Sequence, residues 1–352
     1  MNGTVTRFGI LGCGLAAGFH ANALKNISGA CLAGVYDLNK GKRLGFAAKY
    51  GCASFESLEQ FAESPDIDAV CVCTPSGYHA DNSVYLMEHG KALLIEKPLA
   101  TTKEQAKRIV DAKERTNTAV GVVSQLRCCQ DARMLKDMLS AGELGKTVSV
   151  NLTMLYHRSE EYYKDSPWHG TLGLDGGGAL INQGIHGVDL VLWLLGRVKR
   201  VSAVKKTLFH NIEAEDTLSA LLEFENGAIG TLCAATSVWP GQPRTLTVCG
   251  TAGTAVLTED KLSTLVTQKS GELVDADRMT AYLSHSDPGA IPPAAHENVI
   301  RDFCDALRTG RAPISDVYDG YNAFSLIDAI YKSSLADGAP VEPEYTTKEN
   351  KK

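Results

Sequence analysis

RFGILGCGLAAGFH, residues 7–20, decides how the chain is read. An apolar run ends at Gly12-Cys13-Gly14-Leu15-Ala16-Ala17, and helix-forming residues follow. Strand, glycine turn and helix come in the order of a G-x-G-x-x-A dinucleotide turn. Gly12 permits the tight turn, Gly14 lets the backbone approach a pyrophosphate, and small Ala17 lets the helix pack close to the strand. The helix N-terminus, at Leu15 and Ala16, then offers N–H donors and a positive dipole end to phosphate.

An acid closes the next strand, Asp37 in GVYDLNK. A carboxylate there accepts from ribose hydroxyls and repels a 2′-phosphate, and Leu38 and Asn39 follow it rather than arginine or serine. The pattern predicts NAD in preference to NADP. The alternative is a glycine-rich turn without cofactor.

Around this turn, short strands rich in Val, Leu, Ile and Cys (7–12, 31–37, 68–75, 91–97, 118–125) alternate with helical stretches. That alternation predicts βαβ units and a parallel sheet covered on both faces. After Arg127 the pattern changes to longer strand-rich segments (147–157, 198–208, 216–236, 244–260), with Glu225-Asn226-Gly227 as a hairpin turn. Helices are expected over 178–196, 296–310 and 320–338. The fold class read from this is α/β: an N-terminal doubly wound Rossmann sheet over 1–126, then an α+β domain over 127–345 with an open, mostly antiparallel sheet.

With 352 residues the chain exceeds one ordinary core, in keeping with two domains. A formal charge of -6 supplies no basic field for a polyanion, which excludes a general nucleic-acid binder. Apolar runs break well short of the ~20 residues that span a bilayer. No charged leader precedes the first strand, so a cytoplasmic setting is expected. Six of the ten cysteines lie in apolar stretches and none form C-x-x-C, so reduced core thiols are expected and no metal.

Thr74-Pro75 ends the third long strand, and ALLIEKPLA (92–100) ends another in Glu96, Lys97 and Pro98. Doubly wound sheets bind ligands at such carboxyl ends. Thr74, Pro75, His79 and Glu96 are therefore candidates for the nicotinamide side, with turn residues and a helix cap as the alternative. Lys97 there points to the crevice, where desolvation beside a nicotinamide cation lowers an amine's pKa and suits it to proton transfer. Pairing with Glu96, or extension to solvent, is the other reading.

In GGGALINQGIHGVDL (176–190), Asn182, His186, Asp189 and Trp193 share one face of an α-helix beside an apolar stripe. The loop before it, 156–178, concentrates Tyr156, Arg158, Tyr163, Trp168, His169 and Asp175. Aromatic faces with multivalent donors and acceptors suit a polyhydroxylated ligand such as a sugar.

Together, G-x-G-x-x-A, Glu96-Lys97-Pro98 and GGGALINQGIHGVDL before Trp-Leu-Leu-Gly resemble the Gfo/Idh/MocA oxidoreductases. The resemblance extends over essentially the whole chain. It implies a tightly held nicotinamide cofactor and sugar-like substrates. It also implies a homodimer or homotetramer built through the open sheet, with Lys97 and His186 matching the family's catalytic lysine and histidine. Many members carry aspartate four residues before that histidine, where this chain has Asn182, which leaves a lysine–histidine pair. The resulting expectation is oxidation of a secondary hydroxyl, at C3 of a sugar or glycoside, with Arg158, Tyr163, Trp168, Asp175, Asn182 and His186 around the substrate. A partner enzyme would act on the keto product. An inositol or cyclitol dehydrogenase, a nucleotide-sugar 3-dehydrogenase and a non-enzymatic dinucleotide-sensing regulator are the alternatives.

Overall fold

The opening apolar run is β1, Thr6–Leu11, in a computed structural model that describes residues 5–268, 271–274 and 293–346. It is followed by α1 (Leu15–Leu24), β2 (Ala30–Tyr36), α2 (Lys40–Tyr50) and a two-residue β3 (Ala53–Ser54). Next come α3 (Leu58–Glu63), β4 (Ala69–Val72), α4 (His79–Glu88), β5 (Ala92–Ile95), α5 (Lys103–Thr116) and β6 (Val120–Val122). The six strands pair in parallel in the order β3-β2-β1-β4-β5-β6. Strand order reverses direction between β1 and β4, and the ligand crevice of such a sheet opens there, beyond the carboxyl ends.

Local chemistry explains these elements. AVCV of β4 is buried throughout and ALLI of β5 nearly so, hence their continuous apolar sequences. Asn39, Ser57 and Thr102 cap α2, α3 and α5 by accepting from the N–H groups of Lys42, Gln60 and Gln105.

The second unit begins at residue 126. It holds α6 (Gln130–Ser140), β7 (Thr147–Leu155), the short α7 (Glu160–Lys164), a π-helical turn at Ala179–Gly184 and α8 (Ile185–Leu195). The strands β8 (Val198–Lys206), β9 (Thr217–Phe224), β10 (Ile229–Ala235), β11 (Thr245–Gly250), β12 (Gly253–Thr258), β13 (Lys261–Thr267) and β14 (Gly271–Val274) follow. The order is β14-β13-β12-β11-β7-β10-β9-β8. Among the described strands of this sheet only β7 and β10 pair in parallel, β7 lying between β10 of one hairpin and β11 of the next. The Asn226-Gly227 turn closes the β9–β10 hairpin, with Gly227 at φ 86 and its N–H on Phe224 O. Along β9, Leu218, Ala220, Leu222 and Phe224 are buried while Leu221 stands 62% exposed, so one face is packed and the other open. A Cβ on Gly187 would fall 2.6 Å from Met154 Sδ, so α8 sits directly on β7.

The chain then forms α9 (Pro293–Thr309) and α10 (Val317–Leu335). Residues 293–321 return to the first unit, and 322–346 to the second. Phe303 of α9 packs on Phe8 at 6.4 Å between ring centroids, Arg301 donates to Asn26 O at 2.7 Å, and Val122 N donates to Ser315 O at 3.0 Å. A linear division at 126/127 does not contain this second crossing.

Candidate active site

The glycine turn has the geometry of a phosphate cradle. Gly12 sits at φ +90, and a Cβ there would meet Cys73 O at 2.8 Å, so only glycine fits. Gly14 is exposed with no atom within 4 Å of a would-be Cβ, which leaves open space over the start of α1. No side chain caps α1, so its first N–H groups remain available to an anion. Asp37 is half-buried; its Oδ2 accepts from Cys13 N at 2.8 Å and its Oδ1 from Asn39 N at 2.7 Å. These contacts fix the carboxylate against the glycine turn while leaving lone pairs for ribose hydroxyls. The donor set therefore fits a dinucleotide whose ribose carries no 2′-phosphate.

At the carboxyl ends of β4 and β5 the candidates separate into two groups. Thr74, Pro75 and Lys97 are half-buried, Thr74 accepting from Asn82 Nδ2 at 3.2 Å. His79 and Glu96 are turned into the protein instead. His79 bridges two backbone carbonyls, Nδ1 to Pro98 O at 2.8 Å and Nε2 to Thr74 O at 2.9 Å. It spans the two strand-end loops, and the neutral ring, with its one N–H, donates to one of these carbonyls at a time. Burial lowers its pKa against the raising effect of those carbonyls. Glu96 is buried, with Oε1 accepting from His20 Nε2 at 2.8 Å and Oε2 from Lys97 N at 3.2 Å.

In the second unit, the segment bearing Asn182 is wound as a π turn and α8 begins at Ile185. The 3.6-residue spacing that aligns Asn182 with His186 in a regular helix does not run unbroken through it, and such turns recur at functional sites. Asp189, expected beside His186 on a polar stripe, is instead bound by Arg127, whose Nε and Nη2 donate to its two oxygens at 2.9 and 2.7 Å. His186 remains half-buried. Glu215 holds the start of the segment through the N–H groups of Gly178 (3.1 Å) and Leu180 (2.9 Å) and the Tyr331 hydroxyl (2.8 Å).

The loop residues form a connected chain. Arg158 Nη2 donates to Gln183 Oε1 at 2.7 Å, Gln183 Nε2 to Asn182 Oδ1 at 2.8 Å, and Asn182 Nδ2 to Asp175 Oδ1 at 2.6 Å. The other Asp175 oxygen accepts from Gly170 N at 2.9 Å. Arg158 and Asp175 are 3% and 1% exposed. They stand at the two ends of this chain, bonded to Gln183 and Asn182. Tyr163 donates to Thr236 Oγ1 at 2.9 Å, and burial pushes its phenol up to about 12. Tyr162 stacks on His169 at 4.3 Å and Trp168 lies 4.0 Å from the same ring. Gln183 and Tyr162 were not singled out in the sequence. The signal for Gln183 was a polar side chain adjoining Asn182 within an otherwise apolar helix entry.

Residues 6–124 match the model of an oxidoreductase family with an NAD-binding Rossmann fold, and residues 132–256 match the GFO/IDH/MocA C-terminal domain. The chain belongs to the Gfo/Idh/MocA oxidoreductase family. It is similar to the rhizopine catabolism protein MocA of Rhizobium meliloti, 28% identical over 71% of this chain and 77% of the relative. It is also similar to D-glucoside 3-dehydrogenase of Escherichia coli, 26% identical over 87% of this chain and 95% of the relative. Among solved structures, the WlbA dehydrogenase of Bordetella pertussis, in complex with NADH and UDP-GlcNAcA, superposes with a TM-score of 0.85. That match has 28% identity and covers 97% of this chain and 100% of WlbA. As a family member with this glycine turn, the chain is an NAD-dependent dehydrogenase acting on CH–OH groups. Among the described residues no helix is long and apolar enough to cross a membrane.

Proposed function

We propose that the protein oxidises a secondary hydroxyl of a sugar, glycoside or sugar derivative to a ketone, at C3 of the ring. The observation that carries this reading is the wall formed by Tyr162, Tyr163, Trp168 and His169 beside the linked amides of Gln183 and Asn182. A pyranose presents an apolar C–H face and an edge of hydroxyls that both donate and accept. Aromatic rings suit the first, and neutral amides and phenols suit the second. The similarity to a D-glucoside 3-dehydrogenase supports the C3 position.

Bound at the glycine turn and Asp37, NAD supplies the hydride acceptor. His186 takes the hydroxyl proton as general base, and Lys97 holds the same oxygen and stabilises the alkoxide as it forms. Tyr163, Trp168 and Asn182 orient the ring; Arg158 and Asp175 act through Gln183 and Asn182. Oxidation at C3 acidifies the neighbouring C–H, so the product suits a partner enzyme that eliminates the aglycone. A second copy of the chain docks on the open face of the eight-stranded sheet, where Leu221 and Ile229 stand 62% and 65% exposed. The ten free cysteines suit a cytosolic setting.

The test mixes protein and NAD with glucosides, free sugars, inositols and nucleotide sugars and follows reduced nicotinamide absorbance. The product is then trapped with borodeuteride and its deuterium located by mass spectrometry. Deuterium at C3 of a pyranose is the expected result. Turnover confined to inositols, or deuterium at another carbon, overturns the reading.

A further inference from the structure

Behind Lys97 lies a closed polar cluster in an apolar setting. Besides His20 at 2.8 Å, the Glu96 Oε1 lies 3.8 Å from Nε2 of His296, which α9 brings into the first unit. His296 stacks on Phe19 at 5.1 Å and meets His20 edge-on at 5.3 Å. All three polar residues are buried, His20 completely.

Two histidines and a carboxylate, with ligand atoms within 4.8 Å of one another, have the composition of a metal centre. The details favour a hydrogen-bonded network. A metal-bound histidine donates its second N–H to an acceptor, whereas His20 Nδ1 is buried with no hydrogen-bond partner among the described residues. The His20 ring therefore carries its one proton on Nε2, where Glu96 accepts it. Burial favours that neutral form and holds the His20 pKa down.

The carboxylate itself is kept ionised. Burial alone would raise Glu96, but the His20 N–H bonded to it, with His296 3.8 Å away, holds it well below the ordinary carboxylate range. The other titratable groups that feel it are Cys71 and Cys73 by β4 and His79 on α4. Both thiols are pushed well above their usual range by burial and stay neutral. The backbone N–H of Lys97 is held by Glu96 Oε2 at 3.2 Å, which sets this charge one residue from the Lys97 side chain.

We propose that His20 and His296 are positioning residues that keep Glu96 ionised, so that a fixed negative charge one residue before Lys97 holds the Lys97 ammonium protonated for its contact with the reacting oxygen. The functional consequence rests on the role given to Lys97 above; the charge coupling itself does not.

The test reads Lys97 directly. Acetic anhydride labelling of the full chain across pH, with the Lys97 peptide quantified by mass spectrometry, gives the amine's titration midpoint without turnover. Glu96→Gln, which is isosteric, is expected to lower that midpoint by about one pH unit. His20→Leu and His296→Leu lower it in the same direction, and His20→Gln, which keeps a neutral donor at the Nε2 position, restores it. The alkaline limb of the turnover profile is expected to follow. A midpoint that moves while the turnover limb stays supports the coupling and removes Lys97 from the reaction. A midpoint unchanged in Glu96→Gln, or one equivalent of divalent metal in the purified chain that is lost in His20→Gln, overturns the proposal.

Discussion

The Asn182 side-chain amide donates to Asp175 Oδ1 at 2.6 Å. A carboxylate thus stands one hydrogen bond behind the amide that lies four residues before His186. Asn182 is held from the other side by Gln183 and, through it, by Arg158. A cation and a carboxylate therefore terminate a line of neutral amides, which fixes both amide orientations.

Asn182→Asp should disturb this arrangement in a pH-dependent way. Two buried carboxylates in contact cannot both ionise cheaply, so one folded-state pKa rises above its unfolded value. The stability tied to that shared proton is present at low pH and lost as pH rises through the raised pKa. Urea titrations should show the variant destabilised relative to wild type by about 2 kcal/mol more at pH 8 than at pH 4. Equal losses at the two pH values would contradict the contact.

Lys97→Met and His186→Phe should each lower kcat by roughly 10²–10⁴-fold, the usual contribution of a positioned acid–base group. NAD affinity, measured by fluorescence titration, should stay within about threefold, because the glycine turn and Asp37 hold the nucleotide. Turnover within a few-fold of wild type in Lys97→Met would remove it from the mechanism.

Asp37→Ser tests the cofactor preference. The substitution removes the ribose acceptor and the carboxylate that repels a 2′-phosphate, and it also releases Cys13 N. NAD should bind about tenfold more weakly, and NADP should gain relative to it. An unchanged ratio of the two affinities would count against the carboxylate as selector.

The parallel sheet was legible because each βαβ unit writes its own period, glycine turn and cap locally, as RFGILGCGLAA does. The hairpin at Asn226-Gly227 was legible for the same reason. What was not legible depends on distant partners. KLSTLVT of β13 pairs with β12 through a register shift between Val256 and Leu257, which its own residues do not announce. The return of α9 to the first unit is visible only once Phe303 is seen against Phe8. Within the candidate site, Glu96 and His79 look like crevice residues from position alone. Their burial follows from carbonyls and histidines that spacing does not reveal. The π turn hides the relation of Asn182 to His186, since a sequence read at 3.6 residues per turn assumes a regular helix.

The Arg127–Asp189 pair, 3% and 6% exposed at the side chains, anchors α8 from its buried face. Arg127→Met leaves Asp189 as an uncompensated buried charge and should cost about 3–5 kcal/mol in denaturant unfolding. Adding Asp189→Leu should recover most of that loss, because an apolar pair of similar volume is tolerated where a lone charge is not. A double variant no more stable than the single one would show that the pair does more than neutralise itself.

His20 gives the acid response of the first unit. Burial lowers its folded-state pKa below the unfolded value of about 6.5. Below that pH the unfolded chain binds a proton that the folded ring resists, so His20 removes stability as pH falls from 7 toward 5. The loss has a slope of at most about 1.4 kcal/mol per pH unit. His20→Gln cannot take up that proton yet keeps a donor for Glu96. Its unfolding free energy should therefore fall less steeply than that of wild type between pH 7 and pH 5, as read from urea titrations at half-unit steps. Parallel curves over that interval would mean that the folded ring takes up the proton as readily as the unfolded one, with His20 charged beside Glu96 instead of neutral.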